Sequence, residues 1–92
     1  MSTKELVVSG EKALSVAEAL TATSMKILRL LSNERLDIST IGLRLGLSEA
    51  YISEQIQTME ALNLVNVKYE RGKRGIRKVC DATIKKITIL IE

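Results

Sequence analysis

The chain has 92 residues, 46% apolar and 27% charged, with a net charge of +3, which is the composition of one small globular domain and excludes a disordered or membrane-spanning chain. There is no Phe, Trp or Pro and there are two tyrosines, so the core must be aliphatic; Cys80 is the single cysteine and there is no histidine, which excludes an intrachain disulfide and leaves no ligand set for a protein-only zinc site. No run approaches a membrane span and MSTKELVVSGEK lacks the apolar segment of a signal peptide, so a cytoplasmic protein with no membrane or metal association is expected.

In chain order, Leu6-Val7-Val8 favours a strand and the pair Ser9-Gly10 ends it. Ser9 can cap a helix beginning at Gly10 or Glu11, with Leu14, Ala17 and Leu20 as its apolar stripe and Ala13 and Val16 beside them. Thr21 and Thr23 offer the next N-cap. The helix they open runs to about Ser32 and carries Met25, Ile27, Leu28, Leu30 and Leu31, enough apolar surface to predict burial on more than one side. Asn33-Glu34-Arg35 is a polar turn.

Residues 38–62 carry the most informative spacing. Asp37 can cap a short helix over 38–45 that faces Ile38, Ile41 and Leu45 inward, with Leu43 off the stripe. Gly42 costs that helix about 1 kcal/mol relative to Ala, which implies close approach by a neighbour. Gly46 stands at the helix end, where φ > 0 favours glycine. Ser48 then caps a second helix, with Glu49 at the positive end of its dipole. Ile52, Ile56 and Met59 form its inner face, and Glu49, Ala50, Ser53, Glu54 and Gln57 its outer face. Asn63, tolerant of the left-handed conformation, closes it. A small residue, a turn glycine and an apolar residue at these offsets are the skeleton of a helix-turn-helix.

A hairpin over 64–81 follows, with LVNVKY and GIRKVC as its strands and ERGKRG between them. The last strand, 84–91, is β-branched and apolar. Left as a bare edge it would invite aggregation. It should pair with residues 4–8 of its own chain or of a second subunit, which favours a homodimer. Charge is just as local. Residues 1–48 carry six basic residues against five acidic, whereas 68–78 carry six against Glu70 alone. One basic patch on a nearly neutral body is the footprint of a nucleic-acid contact; a solvated hairpin tip is the plain alternative. The predicted fold is α+β, mainly α: a winged helix-turn-helix of three to four helices with a two-stranded β-wing and a terminal strand, in a single domain over 1–92.

Through ALTATSMKILRLLS, ISTIGLRLGLSEAYISEQIQTMEALNLV and YERGKRGIRKV, the chain resembles the small ArsR-like winged-helix regulators, the archaeal ones in particular, over about residues 13–81. The resemblance implies that the helix carrying AYISEQIQTMEAL lies in the major groove, with Ser48, Glu49, Ala50, Tyr51, Ser53, Glu54 and Gln57 near base edges and phosphates. It implies that Arg71, Lys73 and Arg74 make wing contacts. The chain departs from the family in three places. The paired cysteines of metal-sensing members are missing from ISTIGLRLG, Met25 replaces a frequent Arg, and a strand replaces the C-terminal dimerising helix.

The second helix of the motif has no Arg, Lys or Asn between 49 and 62, only Gln55 and Gln57, and it carries Glu49, Glu54 and Glu60. The bidentate guanine contact is therefore absent. Grip is expected from the wing, including Arg77 and Lys78, and from Arg44, as phosphate-dominated binding to double-stranded DNA. The expected function is a small dimeric transcriptional regulator without cofactors. The alternatives are an architectural DNA-binding protein and a winged-helix protein–protein module. No residue pattern marks an enzyme. Cys80 reads as a small core residue at a strand end, with a redox switch or intersubunit disulfide as the sharper alternative.

Overall fold

The computed structural model describes residues 4–92. Five strands and four helices alternate as β1 (Lys4–Val8), α1 (Gly10–Ala19), α2 (Ala22–Leu31), β2 (Leu36–Asp37), α3 (Ile38–Leu45), α4 (Glu49–Ala61), β3 (Asn66–Gly72), β4 (Gly75–Asp81) and β5 (Ile84–Ile89). The strands form two separate sheets. β1 and β5 pair in parallel, and β2, β4 and β3 lie in that order in an antiparallel sheet.

Helix ends follow local chemistry. Thr21 opens α2 with a reciprocal capping box, its side chain accepting from the Ser24 amide at 3.2 Å while Ser24 Oγ accepts from the Thr21 amide at 2.7 Å. Asp37 accepts from the Thr40 amide at 2.8 Å, and Ser48 from that of Tyr51 at 3.2 Å. Ser9 sits at the N-cap of α1 without a side-chain hydrogen bond. Asn63 closes α4 at φ 62°, and the Leu64 amide returns to the Met59 carbonyl at 2.9 Å.

The core is aliphatic, built on Ile27, Leu31, Ile41, Ile52, Ile56, Met59, Leu64, Val65 and Cys80, and a smaller cluster of Val8, Ala13 and Val16 lies beside it. Three expectations change here. In α1 the buried line is Ala13, Val16 and Ala19, whereas Leu14 (59% exposed) and Ala17 face outward. The helix packs through its small residues, in a cluster with Leu6, Val8, Leu62 and Ile87. In α2, Ser24, Ile27 and Leu31 are buried, Leu28 and Leu30 are half-buried and Met25 is exposed, so the helix is covered along one stripe only. Met25 instead lines an open cavity of about 400 Å³ with Leu28, Ile84 and Ile87. Finally, Leu64 and Val65 precede β3 as buried anchors of the turn after α4, and β5 ends at Ile89.

The terminal strand finds its partner within its own chain. Glu5 to Val8 match Lys86 to Ile89 residue for residue in parallel, and the ladder runs on through the Leu90 amide to the Val8 carbonyl at 2.9 Å. Two chain segments 80 residues apart are thus joined directly, and Ile87 packs against both core clusters.

Candidate nucleic-acid interface

The corner between α3 and α4 is set by contact distance. A Cβ on Gly42 would lie 2.8 Å from the Leu47 carbonyl oxygen and 3.9 Å from Ile52 Cγ1, so only glycine lets the turn fold back this tightly. Gly46 ends α3 at φ 68°, in the left-handed region. Ile52, Ile56 and Met59 are fully buried, which fixes the rotation of α4. Its opposite side then presents Glu49, Ala50, Tyr51, Glu54, Gln57 and Glu60 to solvent, with Ser53 and Gln55 half-buried at the margins. Of the seven α4-side residues expected from sequence, Ser48, Glu49, Ala50, Tyr51, Glu54 and Gln57 are exposed and Ser53 is half-buried, and no cation stands among them.

The wing is two-faced. Strand alternation places Val67, Tyr69 and Arg71 with their partners Cys80, Lys78 and Ile76 on one side, and Lys68 and Glu70 with Val79 and Arg77 on the other. On the second side charge is largely spent internally. Arg77 Nε lies 3.3 Å from Asp37 Oδ2, Glu70 pairs with Arg35, and Arg35 Nε lies 3.8 Å from Asp81 Oδ2. Arg44, on α3, pairs with Glu34. Among the described residues Lys68, Arg71, Lys73, Arg74 and Lys78 make no ion pair. Lys73 and Arg74 form the tip between the facing Gly72 and Gly75.

Asp37 ties the two units together. Its backbone pairs with Val79 in the three-stranded sheet, its carboxylate caps α3, and the same carboxylate meets Arg77. The side chain and then the amide of Thr40, with Arg77 adding to them, hold this carboxyl below the usual carboxylate range against the opposing effect of burial. Sequence reasoning identified Asp37 as a cap only. The two-residue strand β2 is too short to leave a period, so its second role was invisible.

Sequence reasoning also missed the exposure of Tyr69 (70%) and Ile76 (75%), which stand beside Arg71 and Lys78 on the wing. The signal was present: the apolar alternation of this ribbon outlasts the core that covers its base. Cys80 lies at that base, fully buried, and burial above all pushes its thiol up to about 11. Thiolate is scarce near neutral pH and the sulfur is enclosed, so the core role holds and the redox and intersubunit-disulfide alternatives lose their footing. Among the described residues no cluster of His, Cys, Asp and Glu could hold a metal ion, and no helix is long and apolar enough to cross a membrane.

No protein-family model and no curated protein matches the sequence. Solved structures do. A homodimeric winged helix-turn-helix DNA-binding domain from Mycobacterium bovis, described as a possible ArsR-family transcriptional regulator, superposes with a TM-score of 0.69 at 22% identity, over 79% of this chain and 65% of its own. The fold is a winged helix. NolR from Sinorhizobium fredii has a TM-score of 0.67 at 21% identity, over 82% and 72% of the two chains. Reduced HlyU from Vibrio cholerae has a TM-score of 0.66 at 20% identity, over 80% and 75%. All three come from bacteria, and the archaeal expectation gains no support from them. In winged-helix terms α3 and α4 are the helix-turn-helix, β3 and β4 are the wing, and the β1–β5 ribbon stands apart from both.

Proposed function

We propose that this chain binds double-stranded DNA as a homodimeric transcriptional regulator of the ArsR type, acting in the cytoplasm with residues 1–92 as one unit. The observation that carries the reading is the group of five cations without an acidic partner gathered on one hairpin, beside a helix-turn-helix whose outer face is open. Arg71, Lys73, Arg74 and Lys78 contact phosphates. Arg77 contributes less, because its guanidinium is held by Asp37. Ser48, Glu49, Ala50, Tyr51, Ser53, Glu54 and Gln57 approach the major groove, where Gln57 can pair with adenine and Glu54 can accept from cytosine. The structural neighbours support the reading, one of them being described as a homodimeric DNA-binding domain. It is a binding role, without catalysis or cofactor.

The acidic outer face of α4 favours a second form of the same reading, an architectural protein that grips backbone with little preference for sequence. Binding to random duplexes across a salt series tests both. Replacing Arg71, Lys73 and Arg74 together by Ala should flatten the slope of log K against log salt by about 3 units. An unchanged slope would remove the wing from the interface. Selection from a random duplex pool separates the two forms: a palindromic consensus fits the regulator and a flat result the architectural protein. Absence of binding at low salt would leave a protein partner as the occupant of this face.

A further inference from the structure

Strand β5 has one satisfied edge and one open edge. The Leu90 amide points to β1, where it reaches the Val8 carbonyl, so by strand alternation the amides and carbonyls of Lys85, Ile87 and Ile89 point the other way, and Ile91 follows just past the strand's end. Among the described residues no strand takes them up, because the sheet has only two members. The apolar run on this edge is exposed where it matters, with Ile89 at 38%, Leu90 at 42% and Ile91 at 98%. From Ile87 to Ile91 it holds no charge, Pro or Gly to blunt the edge. A second copy of the same strand is the occupant whose chemistry fits. Two copies that pair antiparallel about a twofold axis must oppose outward-pointing residues to each other, which leaves only registers centred on a residue of the strand. Centred on Thr88, Lys86 meets Leu90. Centred on Ile87, Lys86 meets Thr88. Centred on Ile89, Lys86 meets Glu92 at both ends, Ile87 meets Ile91, and Ile89 meets itself.

We propose that β5, extended through Leu90–Glu92, is a dimerisation strand, pairing antiparallel with the same segment of a second copy about Ile89 to give one four-stranded sheet in the order β1-β5-β5-β1. This rests on the homodimer of the reading above and supplies its surface. Opposite charge selects the register: Lys86 Nζ lies 3.7 Å from Glu5 Oε2 of its own chain, and among the registers centred on Ile87, Thr88 and Ile89 only the last brings it a second carboxylate. Ile91 of each copy is carried onto the other's Ile87, which already packs on both core clusters. The same pairing converts an aggregation-prone edge into an interior one, and because it is isologous about a twofold axis the contact closes at two copies. Strand pairing of this length is at the small end of stable interfaces, so dilution reads the equilibrium.

Sedimentation velocity on the 92-residue chain without DNA tests it. The parent should pass from dimer to monomer on dilution, and Glu92→Lys should raise the dissociation constant tenfold or more. Lys86→Glu, which also sets a carboxylate beside Glu5, should do the same, and the triple exchange Glu5→Lys/Lys86→Glu/Glu92→Lys should return it to within about threefold of the parent, since every opposed charge is then exchanged. Circular dichroism on each variant reports that the fold is kept. Under mild oxidation Ile89→Cys should cross-link, because directly opposed hydrogen-bonded residues lie about 5.5 Å apart at Cα, within disulfide range. Lys85→Cys should not, and buried Cys80 needs no replacement. A dimer that is unmoved by both charge reversals and does not cross-link at 89 overturns this surface while leaving the DNA-binding dimer intact. A parent that is monomeric at every concentration overturns both the surface and the dimer, and leaves DNA binding to be judged by its own salt series.

Discussion

Helix α4 and the wing are neighbours in the proposed interface, but they are held in place by different forces. α4 is oriented by packing: Ile52, Ile56 and Met59 are wholly out of water, and Gly42 lets α3 approach to contact distance. Its outer face is free to be anything, and it is acidic. The wing leaves the core beyond Val67 and Val79, and past that point it is steadied by charge, through Asp37 with Arg77 and Arg35 with Glu70. Its cations divide accordingly into those spent on structure and those left for a ligand. The lesson is that a count of basic residues overstates grip. Partnering decides which of them can meet a phosphate.

The contrast can be broken at its packed side first. Gly42→Ala puts a methyl 2.8 Å from the Leu47 carbonyl oxygen, and because backbone cannot yield as a side chain does, it should cost about 1–3 kcal/mol in thermal or denaturant unfolding. The loss should be the same at low and high salt. A neutral or stabilising outcome would mean that the corner is looser than its geometry.

Asp37→Ala strikes both regions at once, removing a helix cap and the partner of Arg77, and should cost about 1 kcal/mol. The pH dependence has a definite sign. A carboxyl held below its unfolded value stabilises the fold above that value, and the contribution disappears as pH falls through the folded one. The difference between parent and Asp37→Ala should therefore be steady from neutrality down to about pH 5 and shrink below about pH 4, where an unfolded aspartate protonates. A difference that grew toward acid would refute the assignment.

Within the wing, Lys78→Ala should lower the salt slope of DNA binding by about 0.9. Arg77→Ala should change it by much less while weakening the β4–α3 connection, since exposed ion pairs are worth about 1 kcal/mol or less. Equal slopes for the two variants would erase the division between spent and free cations. The smallest effect is expected from Glu54→Gln. Removing one exposed carboxylate from the outer face of α4 should raise affinity for random duplexes by no more than a few fold, measured by anisotropy at low salt. A loss of affinity would instead make Glu54 a base-reading residue.

Much of this was legible in the residue order because it is local. Caps at Asp37 and Ser48, the left-handed stops at Gly46 and Asn63, and the inner line Ile52–Ile56–Met59 depend on neighbours within a turn or two, and each appears where its chemistry demands. The approach of α3 to its neighbour could be inferred from Gly42 for the same reason: a helix keeps a costly glycine only under contact. The wing hairpin and its charge were equally visible, since a turn and its flanking alternation lie within one short segment.

What tertiary structure alone decided depends on contacts between distant segments. Periodicity named Leu14 and Met25 as apolar, but only the extent of the surrounding cover sets them in water. The sequence required the final strand to pair without choosing its partner. The fold joins it in parallel to residues 4–8 of its own chain and leaves its other edge open. Likewise Arg77 and Lys78 are adjacent and equally basic in sequence, yet strand alternation turns one toward Asp37 and the other onto the face of Tyr69. Composition determined that this chain has an aliphatic core and a basic hairpin. Which charges remain available was settled by side-chain direction and by a pairing between residues forty positions apart.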